Sequence, residues 1–297
     1  MRRMRHHGVG LFFSMDLHTP LEREGSIMTG WILFGLFVFF SLLAGGTHGL
    51  KTIFTLLLNM GCILAIVALI IHGWNPVITA LIGCLVITCL ILFFNCGINA
   101  KTMASFLSVF TVLVLQLFFV LWITDAANLG GFGFEDLNDV AGYSFDIGIK
   151  ISAVATACIM MGLIGALTDT AIAVSTAVFE VKANYPDSAF SDLYASGLRV
   201  GKDITGTTVN TLYFALLGEA ATLMIWYHIY DYSWWELFNS IVFCREFIKL
   251  CFFSLSCVLV MPVCAAFCGS LLSGSLHAWM TKIEKGMQKL KKWIQDE

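Results

Sequence analysis

Apolar positions along the chain fall into long unbroken runs and do not alternate with polar ones. The runs Thr52 to Ile71, Pro76 to Phe94 and Thr102 to Thr124 hold no Asp, Glu, Lys or Arg, and about 20 such residues in helical form cross a bilayer core of roughly 30 Å. They predict spans two to four. A first span reads from Met28 to Ala44, a fifth from about Gly148 to Val181, a sixth from about Thr208 to His228, and a seventh from about Lys249 to Leu272. A membrane barrel requires strands of about ten residues with alternating polarity, and no segment has that pattern. Only helices and closed barrels satisfy every backbone group in lipid. The expected fold is therefore all-α, a polytopic integral membrane helical bundle of about seven transmembrane helices.

Composition points the same way. Of 297 residues 58% are hydrophobic and 12% charged, where a soluble domain carries charge on about a quarter of its positions, and mean hydropathy is +0.84. The organisation expected is a tail over 1–27, a transmembrane domain over 28–272 and a basic amphipathic helix over 273–297. That last helix carries Lys282, Lys285, Lys289, Lys291 and Lys292 and suits the cytoplasmic membrane surface. Lys and Arg gather on the cytoplasmic side. The acidic segment from Asp125 to Asp146 therefore belongs outside, and the segment from Lys182 to Lys202 inside. Counting spans backwards puts the amino terminus outside, against the charge of Arg2, Arg3 and Arg5. A start at Met15 or Met28 removes most of the conflict and is preferred to a re-entrant segment. A signal peptide is not expected, because Val9 to Phe13 is too short and no small-residue cleavage pattern follows.

Most familiar chemistry is not indicated. The ten cysteines form no CxxC pair and the histidines no HExxH, so the cysteines read as small packing residues, with no metal and no cofactor expected. No Ser/His or paired-Asp constellation suggests an enzyme. No basic stripe with interleaved aromatics suggests nucleic acid. Gly130, Gly131 and Gly133 read as a turn. Trp226, Tyr227, Tyr230, Tyr232, Trp234 and Trp235 read as an interfacial aromatic belt. Arg245 and Lys249, on a helix expected to lie at the interface, are like charges that form no pair with each other.

The segment from Ile151 to Glu219 departs from this uniformity. Asp169 falls about eighteen residues into span five, and a carboxylate at that depth costs several kcal/mol unless paired or hydrated. Gly162, Gly165, Asp169, Thr176 and Glu180 share one helical face, which is expected to be turned from lipid, and the two glycines with Ala166 allow close helix approach. Asp203, Gly206, Thr207, Thr208, Asn210 and Thr211 open span six as its expected partners, with Phe214 and Gly218 further along the same face and Glu219 a second acid near mid-span. Asp169 fits a proton or ion role, or interhelical glue. Glu180 stands where span five leaves the membrane, where solvation or pairing at the interface is the simpler reading.

The strings GLIGALTDTAIAVSTAVFEV and SGLRVGKDITGTTVNTLYFALLGE, with HGWNP after span two and NCGINAKT after span three, resemble the signature of the YibE/F family of bacterial membrane proteins, in a short form without an extracytoplasmic domain. The resemblance implies a multi-pass protein of the bacterial plasma membrane, suspected of transport and partnered by a sister subunit that carries the outer domain. A fainter similarity links the mid-membrane Asp and the Thr-rich helix start to SecD/SecF and RND proton-driven machines. It implies roles for Asp169, for Glu180 as the cytoplasmic acid, and for Thr207, Thr208 and Thr211 as a hydroxyl cluster. This chain departs from those machines in lacking a large outer domain and in having extra spans before the Asp helix. The function expected is a permease-like subunit of a proton- or ion-coupled complex, its solute or ion unspecified. The alternative is a non-transporting scaffold that docks the sister subunit.

Overall fold

The computed structural model describes residues 20–126, 151–229 and 231–273. Among them the chain is helical: α1 (Pro20–Ile71), α2 (Pro76–Cys89) continued by a π-helical turn (Leu90–Asn95), α3 (Ala100–Ala126), α4 (Ile151–Asn184), α5 (Phe190–Ile229), α6 (Trp234–Asn239) and α7 (Ile241–Ser273). Six stretches are long and apolar enough to cross a bilayer: Met28–Gly46, His48–Ile71, Pro76–Asn95, Ala100–Thr124, Ser152–Asn184 and Ile241–Ser273. A seventh is the bent pair Phe190–Gly218 and Leu223–Ile229, whose axes meet at 48°. The multispan all-α architecture read from the runs is therefore the one observed. The tail over 1–19, the acidic segment 127–150 with its glycine turn, and the basic segment 274–297 lie outside the described residues.

The chain divides into two compact units, Met1–Phe54 and Thr55–Glu297. In the first, α1 breaks at Gly46, whose φ of 52° and ψ of −128° are not helical and suit only glycine. A Cβ at Gly49 would run into the Ser41 backbone.

In the second unit, the turns between helices form by local hydrogen bonding. Gly73, at φ 88°, ends α1: its N–H donates to the Ile70 carbonyl at 3.0 Å while Trp74 N–H donates to Leu69 at 3.2 Å. That is the paired closure of a helix C-terminus through a left-handed glycine. Asn75 then caps α2 by accepting from Val77 N–H, with Pro76 at the first helical position. At the other end of the π-helical turn, Gly97 takes φ 74°, and the Thr102 hydroxyl accepts from Asn99 N–H at 2.9 Å at the start of α3. Ser233 and Glu236 form a reciprocal capping box on α6.

The core lies where α3, α4 and α7 meet. Of the most apolar window of each span, 56% is buried in α4 and 44% in α7, against 17% in His48–Ile71. Leu163, Leu167, Ala171, Val174 and Val178 recur every three or four residues on α4 and are fully buried. Outward faces carry Leu57, Leu64, Ile78, Ile82, Phe110, Phe118 and Leu255, all exposed, as lipid contact requires. The structure differs from the sequence reading at α5, which begins at Phe190 and not near Thr208. Residues 190–202 continue the helix because Leu193, Gly197 and Gly201 are buried on one face of it. Likewise Arg245, Glu246 and Lys249 belong to α7 itself, where Lys249 pairs with Glu246 at 2.6 Å.

Candidate functional site

α4 carries Asp169 near the middle of its 33-residue span. The carboxylate does not share the buried face. It stands on a stripe with Cys158, Gly162 and Gly165, all four exposed in this chain. Among the described residues it makes no hydrogen bond or ion pair. Gly162 is a contact point, since an added Cβ would strike the Phe253 ring of α7, whereas Gly165 has nothing within 4 Å of the corresponding position. Ala166 and Thr176 are half-buried, and Glu180 is exposed. The stripe expected to be turned from lipid is thus only partly covered by the chain's own helices.

α4 and α5 run antiparallel from the short turn between Asn184 and Phe190, and Gly197 sits against Val178, 2.8 Å from where its Cβ would be. Asp169 precedes Val178 by nine residues and Gly206 follows Gly197 by nine. At 1.5 Å rise per residue both lie about 13 Å from that contact, so Asp169, Gly206 and Thr207 share one depth. Asp203, Gly206, Thr207, Asn210, Thr211 and Gly218 are exposed and Thr208 is half-buried. The Thr207 hydroxyl donates to Ile204 at 2.9 Å and that of Thr211 to Thr207 at 3.0 Å, so both hydroxyl protons are held by their own helix while the oxygens remain able to accept. Gly206 and Gly218 have nothing within 4 Å of an added Cβ. Glu219 lies on α5 at the bend, and its side chain is outside the described set.

The close helix packing runs through other glycines. On α5, Gly197 meets Ala265 as well as Val178, and Gly201 meets Met261; on α7, Gly269 meets Phe190. This small-residue seam was legible as the four-residue spacing of Gly197 and Gly201, but those residues had been read as part of a loop.

A second polar region, not anticipated, lies inside the bundle. The Ser105 hydroxyl of α3 bonds the Ser175 hydroxyl of α4 at 2.7 Å and the Ala171 carbonyl at 3.2 Å. The Cys264 thiol of α7 donates to that same carbonyl at 3.2 Å, and its sulfur lies 4.0 Å from that of Cys268. Ser105, Ser108, Ser175, Cys264 and Cys268 are all fully buried. About two turns beyond Ser108 on α3, Gln116 is also fully buried, and neither of its amide atoms has a hydrogen-bond partner among the described residues. The one signal in the sequence was Gln116 itself, a carboxamide inside a charge-free run. Between α5 and α7 a largely apolar groove of about 240 Å³ is lined by Tyr213, Leu217, Met224, Phe243, Glu246 and Phe247. No group of three or more His, Cys, Asp or Glu arranged to hold a metal ion occurs among the described residues.

Repeated apolar helices of spanning length, with rows of Leu, Ile and Phe facing outward, define a multi-pass α-helical membrane protein. Its family follows from the sequence across those helices: residues 33–274 match the family described as YibE/F-like protein, and the chain belongs to that family. No curated protein and no solved structure matches the chain.

Proposed function

We propose that this YibE/F-like protein is a permease-like subunit of a proton- or ion-coupled complex of the bacterial plasma membrane, not an enzyme, with Asp169 as the group that changes charge. The observation that carries this reading is a carboxylate at mid-span on the exposed stripe of the most enclosed helix, level with Gly206 and Thr207 of α5. A charged carboxylate at the centre of a bilayer costs about 2.5–3.5 kcal/mol on insertion scales. It is tolerated where hydroxyl or amide groups or water meet it, and its neutral form is tolerated against dry surface. Uptake of one proton therefore biases two arrangements of α4 against its neighbours. Thr207, Asn210 and Thr211 supply the polar side of the charged arrangement. The small solute or ion that is moved is set by the assembled complex.

The test is reconstitution of the complex from native membranes into proteoliposomes with an internal pH dye. Asp169→Asn abolishes coupled proton movement and Asp169→Glu retains part of it. Flux unchanged in Asp169→Asn refutes the reading.

One observation favours a second reading. Gly165, Asp169 and Gly206 are uncovered in the chain alone, as on a face that receives a sister subunit with an extracytoplasmic domain. In that case the protein is a docking scaffold. Asp169→Asn then lowers the yield of co-purified partner, and no flux is measurable from the wild-type complex.

A further inference from the structure

We infer that Cys264 and Cys268 form a two-sulfur site for a soft monovalent metal ion, copper(I) in the first instance, buried among α3, α4 and α7. The pair sits one turn apart on α7, so both sulfurs fall on the same face, and they stand 4.0 Å apart. A metal–thiolate bond of about 2.3 Å separates two sulfurs by about 3.8 Å when the bond angle is tetrahedral and about 4.6 Å when it is linear. The observed spacing falls between the two. It is far from the roughly 2.05 Å of a disulfide.

The surroundings select the ion. Both thiols are fully buried, and the neighbouring groups are hydroxyls and backbone: Ser108 and the Ser175 backbone lie against the Cys264 sulfur, and the Cys264 proton points at the Ala171 carbonyl, 3.2 Å away. Zinc needs four ligands in a closed structural site or three with water in an open one, and no such group of side chains exists among the described residues. Soft thiolates without carboxylate or imidazole company favour copper(I).

Binding replaces each S–H bond by an S–metal bond. Two protons leave to the medium, one positive charge enters, and the site goes from neutral to a single negative charge. Ser108, whose hydroxyl now donates to the Ala104 carbonyl at 2.7 Å, can turn to donate to the Cys264 sulfur. Because protons are released, affinity rises with pH.

The experiment uses the full chain purified in detergent, its exposed thiols first blocked with a maleimide. Copper(I) is presented as its bicinchoninate complex, and loss of colour measures transfer. One copper per chain is expected, with X-ray absorption reporting two sulfur neighbours and no nitrogen. Cys264→Ser and Cys268→Ser each weaken uptake at least a hundredfold, whereas Cys251→Ser, at an exposed position, leaves it unchanged. Copper(I) also raises the melting temperature of the wild-type chain, a readout that needs no variant. The inference is overturned if the wild-type chain takes up no copper and gains no thermal stability. It is equally overturned if uptake survives in both serine variants, or if zinc alone is held as tightly.

Discussion

Replacing Gly197 by Ala tests the packing logic at its tightest point. The new Cβ would stand 2.8 Å from the Ala265 Cβ, 2.8 Å from a Val178 methyl and 3.4 Å from the Ala265 Cα, whereas carbon atoms rest at about 3.5–4.0 Å. Neither neighbour is the end of a flexible chain, so α5 must draw back from α4 and α7 together, and overpacking of this kind costs about 1–3 kcal/mol. Gly165→Ala is the matched control, because its Cβ meets nothing within 4 Å. Both substitutions gain the same helix propensity, about 1 kcal/mol, so their difference isolates the steric cost. The folded-to-unfolded ratio of the Gly197 variant should fall below that of the Gly165 variant by about tenfold for each 1.4 kcal/mol. Gly201→Ala should fall between them, since the Met261 side chain that it meets is unbranched and adapts. The assay is detergent-titrated unfolding of the chain in lipid, followed by tryptophan fluorescence. If Gly197→Ala proves as stable as Gly165→Ala, the seam does not hold these helices together and the packing argument fails.

Gly165→Leu should leave the isolated chain at least as stable as wild type yet reduce recovery of any complex that covers the Asp169 stripe, read by co-purification; equal recovery counts against a covered stripe. Gln116→Met removes two unpartnered buried amide atoms in a residue of similar volume, and stability should rise by about 1–3 kcal/mol in the same unfolding assay. Ser105→Ala should cost about 0.5–1.5 kcal/mol by removing the bonds to Ser175 and Ala171. On α6, the Ser233 hydroxyl and N–H donate to the exposed Glu236 carboxylate and hold it below the usual glutamate range. A lowered folded value means that this cap is complete above the ordinary glutamate pKa of about 4.3 and is lost as pH falls through the folded value. Carboxyl carbon NMR of Glu236 should report that lowered midpoint, and Ser233→Ala should return it to the ordinary range.

The class of fold was legible because lipid imposes a simple rule, unbroken apolar length, and the runs around Ile71, Pro76 and Thr124 obey it without exception. Those bounds place a turn between Ile71 and Pro76, and the structure shows its chemistry: Gly73, Asn75 and Pro76 are the residues that a left-handed helix end and a capped helix start demand. The beginning of α5 was hidden because Lys202, Asp203 and Arg199 read as a soluble crossing, while burial there depends on Leu193 and on two small positions, Gly197 and Gly201, that pack on α7. The interior of the bundle was hidden for a different reason. Serine, threonine and cysteine satisfy their own helix carbonyls, as Ser108 and Thr168 do at 2.7 Å, so their presence in an apolar run says nothing about which way they face. Asp169 stood out at once, but periodicity placed it on a face without deciding what would cover that face.

The glycine seam has a mechanical corollary. With Gly197, Gly201 and Gly269 locking the first half of α5 to α7, and Val178 keyed into the same seam, these parts behave as one solid block. The 48° bend between Gly218 and Leu223 then divides α5 into a half keyed to the block and an arm, Leu223 to Ile229, that is tied instead to the junction of α6 and α7, where the Tyr227 hydroxyl lies 2.9 Å from that of Ser240.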